Sequence, residues 1–150
     1  MTGIDVTASQ ARVLLGLPAV EPVGLPEDFK LVSSRYYPAA ITARAGGVFA
    51  TVYSNQQGTA AFNIYQEAES DTDLVARHGS PVDTQVNHTP ATYFEGGWQS
   101  TSGGIGWDTT DSQTLVYQQN GLRMIIHYSG PRIAPQALLN VANEMATQAG

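Results

Sequence analysis

The pair Asn120-Gly121 constrains this chain more than any other feature. Asn-Gly is the preferred central pair of a type I′ turn, whose two left-handed residues join antiparallel strands through the tightest common connection. It sits between Thr114 to Gln119 and Leu122 to Ser129, two runs that alternate in polarity. A two-residue turn leaves no freedom of register: Tyr117 stands opposite Met124 and Leu115 opposite Ile126 on one face, with Gln118 by Arg123 and Thr114 by His127 on the other. Turn chemistry and hydrophobic pattern agree independently. Val116 and Ile125 are the exception, an apolar pair on the polar face.

A second ribbon is expected from Val48 to Tyr53 and Thr59 to Gln66, around Asn55-Gln56-Gln57-Gly58. Pairing Ser54 with Thr59 sets Phe49 opposite Ile64, Thr51 opposite Phe62 and Tyr53 opposite Ala60. Val48 by Tyr65 and Val52 by Ala61 then lie on the other side, so both faces are partly apolar. Phe29 to Tyr37 reads as a preceding strand, held extended at its entry by Pro22 and Leu25-Pro26. Val82 to Asn87 and Ala91 to Glu95 read as short strands. Gly96 to Gly106, rich in Gly and Ser, reads as a loop flanked by Trp98 and Trp107.

Helices bracket these strands. Thr7 and Gln10 form a capping box for a helix running to Leu17, with Ala11, Leu14 and Leu15 as its apolar positions and Gly16 with Pro18 ending it. After Gly130-Pro131, Pro135 suits a first helical position. Leu138, Val141, Ala142 and Met145 then recur on one side to about Thr147, a stripe that should dock on the sheet. No repeat, low-complexity tract or linker divides the 150 residues. The expected fold is a single α+β domain spanning 1–150: one curved antiparallel sheet with an N-terminal and a C-terminal helix packed on one face.

Composition removes several classes of function. The formal charge is −6 and the seven Lys and Arg are scattered singly, so no basic stripe exists to neutralise phosphates or anionic headgroups, and nucleic acid is not an expected partner. With no cysteine there is no disulfide, zinc–thiolate site or thiol nucleophile. No apolar run approaches the roughly 18 residues of a membrane span, so this segment is not expected to insert.

Each candidate chemistry in the sequence has a plainer reading beside it. His78, His88 and His127 lack the short spacings of a zinc site; His127 is expected on the outer strand face and the other two in solvent. Glu67, Glu69, Asp71 and Asp73 alternate, so their carboxylates can point one way toward a hard cation, or two can serve as the acid and base of a small hydrolase. They lack the twelve-residue EF-hand pattern, and a solvated acidic loop explains them as well. Gly103-Gly104-Ile105-Gly106 has no Lys-Ser/Thr ending, and no Gly-x-Ser-x-Gly elbow is present. Asn87-His88-Thr89 matches a glycosylation sequon of the kind common by chance. No catalytic residue, metal ligand or cofactor is assigned.

The remaining signal is an apolar surplus on the second sheet face: Val48, Val52, Tyr65, Val116 and Ile125. The first helix or the polar excursion 67–89 can cover it, or it is a groove for an apolar ligand or a partner interface. Trp98 and Trp107 either cap an end of the core or form an aromatic platform for a sugar or peptide. These seven residues form the candidate binding set.

The order of elements also resembles a known family. The helix ending Gly16-Leu17-Pro18, the Leu25-Pro26-Glu27-Asp28-Phe29 entry, Ile64-Tyr65-Gln66, the Val86 to Tyr93 segment, and Leu115-Val116-Tyr117 through Asn120-Gly121-Leu122 to the helix from Pro135 carry the likeness. Together they resemble a bacterial domain of unknown function found in extracytoplasmic parts of anti-sigma-factor-like membrane proteins and in some lipoproteins. The resemblance implies a place outside the cytoplasmic membrane and a non-enzymatic sensing or binding role. Lipid or lipoprotein binding, in the manner of carrier domains, is the alternative by analogy of fold.

Overall fold

Thr7 opens the first helix, α1 (Ala8–Leu15), as its capping box requires. The Thr7 hydroxyl accepts from the Gln10 N–H at 3.2 Å and the Gln10 side chain accepts from the Thr7 N–H at 2.9 Å, satisfying two of the helix's orphan donors. Gly16 closes it in the left-handed conformation, φ +68°, its N–H bonded to the Arg12 carbonyl. The computed structural model describes residues 3–38, 47–68, 81–101 and 104–149; side chains are described for these except at 98–101, 104–110 and 148–149.

The strands are β1 (Ile4–Asp5), β2 (Phe29–Tyr37), β3 (Val48–Asn55), β4 (Ala61–Ala68), β5 (Val82–Val86), β6 (Thr89–Thr101), β7 (Gly104–Gln119) and β8 (Leu122–Ser129), followed by helix α2 (Pro135–Ala149). They form one antiparallel sheet in the order β1-β2-β3-β4-β8-β7-β6-β5, open rather than closed into a barrel. Each half is a meander of neighbours in sequence, and the halves join where β4 pairs with β8.

The β7–β8 register is the one that the Asn-Gly turn dictates, from Gln119 opposite Leu122 to Thr114 opposite His127. Asn120 and Gly121 have φ of +50° and +83°, as a type I′ turn demands. The β3–β4 register differs from expectation: Ser54 pairs with Ala61 rather than Thr59, and Phe49 with Gln66 rather than Ile64. The cause is Asn55. Its side-chain oxygen accepts from the Thr59 and Ala60 N–H groups at 2.9 and 3.1 Å, and its amide donates to the Thr59 hydroxyl at 2.8 Å, which organises a longer loop. A slip of two residues keeps every side chain on its own face.

Gly96 to Gly106 is also corrected. It is strand on both sides, β6 continuing to Thr101 and β7 beginning at Gly104, with Trp98 in register with Trp107. Asn87 and His88, with φ of +46° and +69°, make a second tight turn between β5 and β6.

One face of the sheet carries the core. Phe49, Phe62, Ile64, Leu115, Tyr117, Leu122, Met124 and Ile126 are buried there with Ala11 of α1 and with Leu138, Val141, Ala142 and Met145 of α2. Both helices therefore lie on the same side, as the apolar stripes indicate. Phe62 stacks edge-on with Phe29 and tilted against Tyr128, both at 5.0 Å, a favoured aromatic geometry. Each fully buried Leu or Met contributes about 2–3 kcal/mol through removal of apolar surface from water.

Two glutamines solve the problem of irregular backbone crossing this core. Gln66, fully buried, accepts from the Val20 N–H at 2.8 Å and donates to the Val20 carbonyl at 2.7 Å. Gln113, also buried, accepts from the Ile133 N–H at 3.0 Å and donates to the Ile133 carbonyl at 2.8 Å. Each side-chain amide stands in for a strand edge. Gln66 ties down the connection from α1 to β2, and Gln113 the one from β8 to α2.

Candidate functional site

With both helices on the core face, the first helix does not cover the second face, contrary to one of the expectations above. The excursion 67–89 lies outside the described residues over 69–80, and Glu69, Asp71, Asp73 and His78 fall there.

The registers resolve the second face into three cross-strand rows. The middle row runs Arg35, Ala50, Tyr65, Ile125, Val116, Thr92 across β2, β3, β4, β8, β7 and β6. Tyr65, Ile125 and Val116 are half-buried in it and Ala50 is buried. On one side of it lie Val48, Glu67, Arg123 and Gln118; on the other lie Val52, Asn63, His127, Thr114 and Phe94. Val48 is buried and Val52 half-buried. The fold thus brings Val48, Val52, Tyr65, Val116 and Ile125 onto one continuous surface. Trp98 and Trp107 are in register with each other on the outer β6–β7 ribbon.

Two polar features are set into this apolar surface. Glu67 and Arg123 form an ion pair at 2.9 Å with side-chain exposures of only 3% and 12%. Glu67 is thereby a strand residue engaged by a guanidinium, and not the first member of an acidic loop. Desolvating two charges is costly unless they are paired and hydrogen-bonded, so the contact ties β4 to β8 at this point.

The second feature is His127. It lies on the second face as expected for its parity, yet it is only 8% exposed. Its Nε2 lies 3.1 Å from the Ser112 hydroxyl and its Nδ1 3.4 Å from the Asn63 amide nitrogen. With the Asn63 amide nitrogen turned toward it, Nδ1 is the accepting nitrogen, and Nε2 then donates to Ser112. Burial lowers the imidazole pKa from its usual value. Nothing in strand periodicity signals this burial; Gly97, whose missing side chain admits the close approach, is its trace in the sequence.

The core face holds two buried polar groups that sequence reasoning missed. The Tyr117 hydroxyl and the Gln119 amide have no hydrogen-bond partner among the described residues, and burial pushes the Tyr117 phenol up from its usual range. Among the described residues no group of three or more His, Asp or Glu could hold a metal ion, and no helix is long and apolar enough to cross a membrane. No family model matches the chain, and neither a curated protein nor a solved structure matches it.

Proposed function

We propose that this is a non-catalytic binding or sensing domain that engages an apolar ligand or a protein partner through the second face of its sheet. The observation that carries the reading is the middle row, where Tyr65, Ile125 and Val116 stand side by side on the face opposite both helices. A sheet face with helices on its other side needs no such apolar surface for its core, since Phe49, Ile64, Met124 and Ile126 already supply one. Flanking the row with Glu67–Arg123 on one side and Asn63–His127 on the other gives an apolar strip with polar margins, the usual plan of a recognition surface. The extracytoplasmic setting rests on the resemblance carried by the residues quoted above, as does the lipid-carrier alternative.

The test is a double substitution, Val52→Lys with Ile125→Lys. An environment-sensitive anilinonaphthalene sulfonate dye should brighten on the wild-type protein and not on the variant, with far-ultraviolet circular dichroism unchanged. A variant that unfolds would make this face ordinary core and end the reading. Native mass spectrometry of protein purified from its own source distinguishes the alternative, since a carrier retains an acyl adduct.

A further inference from the structure

The β6–β7 ribbon is interrupted at one place. Pairing is regular from Ala91–Tyr117 to Glu95–Gln113 and resumes at Gly97–Asp108, so the single residue Gly96 on β6 faces the four residues 109–112 on β7. Gly96 and Asp111 both take positive φ, +110° and +53°. Such a bulge bends a ribbon and re-aims what lies beyond it. Here it turns Gly97 onto His127: a Cβ at Gly97 would fall 2.3 Å from the imidazole Nε2, 2.4 Å from Cδ2 and 3.1 Å from the Thr114 hydroxyl. Thr114 fastens the same corner by donating to the Gly96 carbonyl at 2.7 Å.

We propose that His127 is a proton-operated latch: while neutral it seats the Gly96-Gly97 corner of β6 against the second face, and on protonation it releases that corner. The geometry makes the ring the support of the bend, because Gly97, Ser112, Thr114 and Asn63 enclose it on β6, β7 and β4. An imidazolium in that enclosure loses its hydration, and its Nδ1 proton would face the Asn63 amide donor.

Charged groups stand on each of the surrounding strands. On β4 and β8, Glu67 and Arg123 are paired with each other, four residues from Asn63 and His127 respectively. On β6, Glu95 binds Arg132 and the Tyr93 hydroxyl. On β7, Asp111 adjoins Ser112, and Asp108 stands opposite Gly97 in the ribbon. The released state gives His127 an ordinary pKa near 6.5, above that of the enclosed ring. Acid therefore favours release, beginning as pH falls below about 6.5. The device does not depend on what the face binds.

The chain's two tryptophans both lie just beyond the bend, at Trp98 and Trp107, so tryptophan emission reports on the outer ribbon. Titrated from about pH 8 to about pH 4.5, the wild-type emission should shift in a one-proton step with a midpoint below about 6.5, while far-ultraviolet circular dichroism stays constant. His127→Gln should abolish the step. His78→Gln with His88→Gln, which leaves His127 as the sole histidine, should retain it, so the result does not hang on one variant's folding. Gly97→Ala, which pushes a methyl into the ring, should show the low-pH emission already at about pH 8. A step that survives in His127→Gln, that vanishes in the His78/His88 variant, or that appears only with loss of circular dichroism would overturn the latch.

Discussion

The side-chain amide of Gln66 closes a two-hydrogen-bond ring with the backbone of Val20, at 2.8 and 2.7 Å, with both residues buried. It does for an irregular segment what a neighbouring strand does for a strand. Replacing it with Leu leaves both the N–H and the carbonyl of Val20 buried without partners, at a cost of about 1–3 kcal/mol for each group. Gln66→Leu should therefore destabilise the fold by about 3 kcal/mol, and Gln113→Leu by a similar amount through Ile133. Urea unfolding at neutral pH measures both. A loss under about 1 kcal/mol would show that these amides are incidental.

Glu67 and Arg123 make a different prediction, because a buried charge without its partner costs more than the pair gains. Glu67→Gln alone and Arg123→Met alone should each destabilise by about 3 kcal/mol, and the double variant by clearly less than their sum. A double-mutant cycle in chemical denaturation gives the coupling. The exposed Arg35–Asp5 pair, at 3.1 Å with side-chain exposures of 42% and 86%, should show coupling near zero and be screened by salt.

His127 also sets a pH dependence on global stability. Its folded-state pKa is lowered by burial, so the unfolded chain binds the proton more readily. Stability should be full above the unfolded value of about 6.5 and decline as pH falls below it, levelling once the folded-state ring is also protonated. Thermal melting of the wild type and of His127→Gln between about pH 7.5 and about pH 5 checks this: the variant should have the shallower slope.

Gly121 adopts φ +83° at the β7–β8 turn, and a Cβ there would sit 3.3 Å from Leu17 Cδ2. Gly121→Ala combines a left-handed alanine with a crowded neighbour and should cost about 1–2 kcal/mol. An unchanged melting temperature would contradict the type I′ assignment.

Legibility in the sequence followed how many independent constraints met at each element. At β7–β8 the two-residue turn and the alternation point to one register, and the structure has it. At β3–β4 alternation alone cannot separate registers that differ by two, and the decision lay in the Asn55 side chain capping its own loop, which no periodicity records. Gly96 to Gly106 has the composition of a loop, yet Trp98 and Trp107 pair across it, because glycines in a bent ribbon serve close approach rather than flexibility. Two residues, Ile4 and Asp5, are too few to show a period at all. The Gln66 and Gln113 contacts were not anticipated, although both residues sit at inward-facing parity, beside Ile64 or Leu115, because alternation does not show which backbone segment will cross the sheet there.

The second face was legible as a pattern and not as a site. Alternation placed Val52, Tyr65, Val116 and Ile125 on one side, but it could not show that Tyr65, Ile125 and Val116 form a single row. That depends on β4 meeting β8, a pairing between residues far apart in the chain.

That pairing has a consequence for how the molecule is made. Ala61 meets Ser129 and Ala68 meets Leu122, separations of 129 − 61 = 68 and 122 − 68 = 54 positions, whereas the contacts within each meander are mostly between neighbouring strands. A ribosome must therefore deliver nearly the entire polypeptide before the seam can knit, and until then the first half presents a naked edge along β4. Folding speed should be governed by this one long loop closure, and a chain that stops short of β8 leaves two half-sheets with no means of joining.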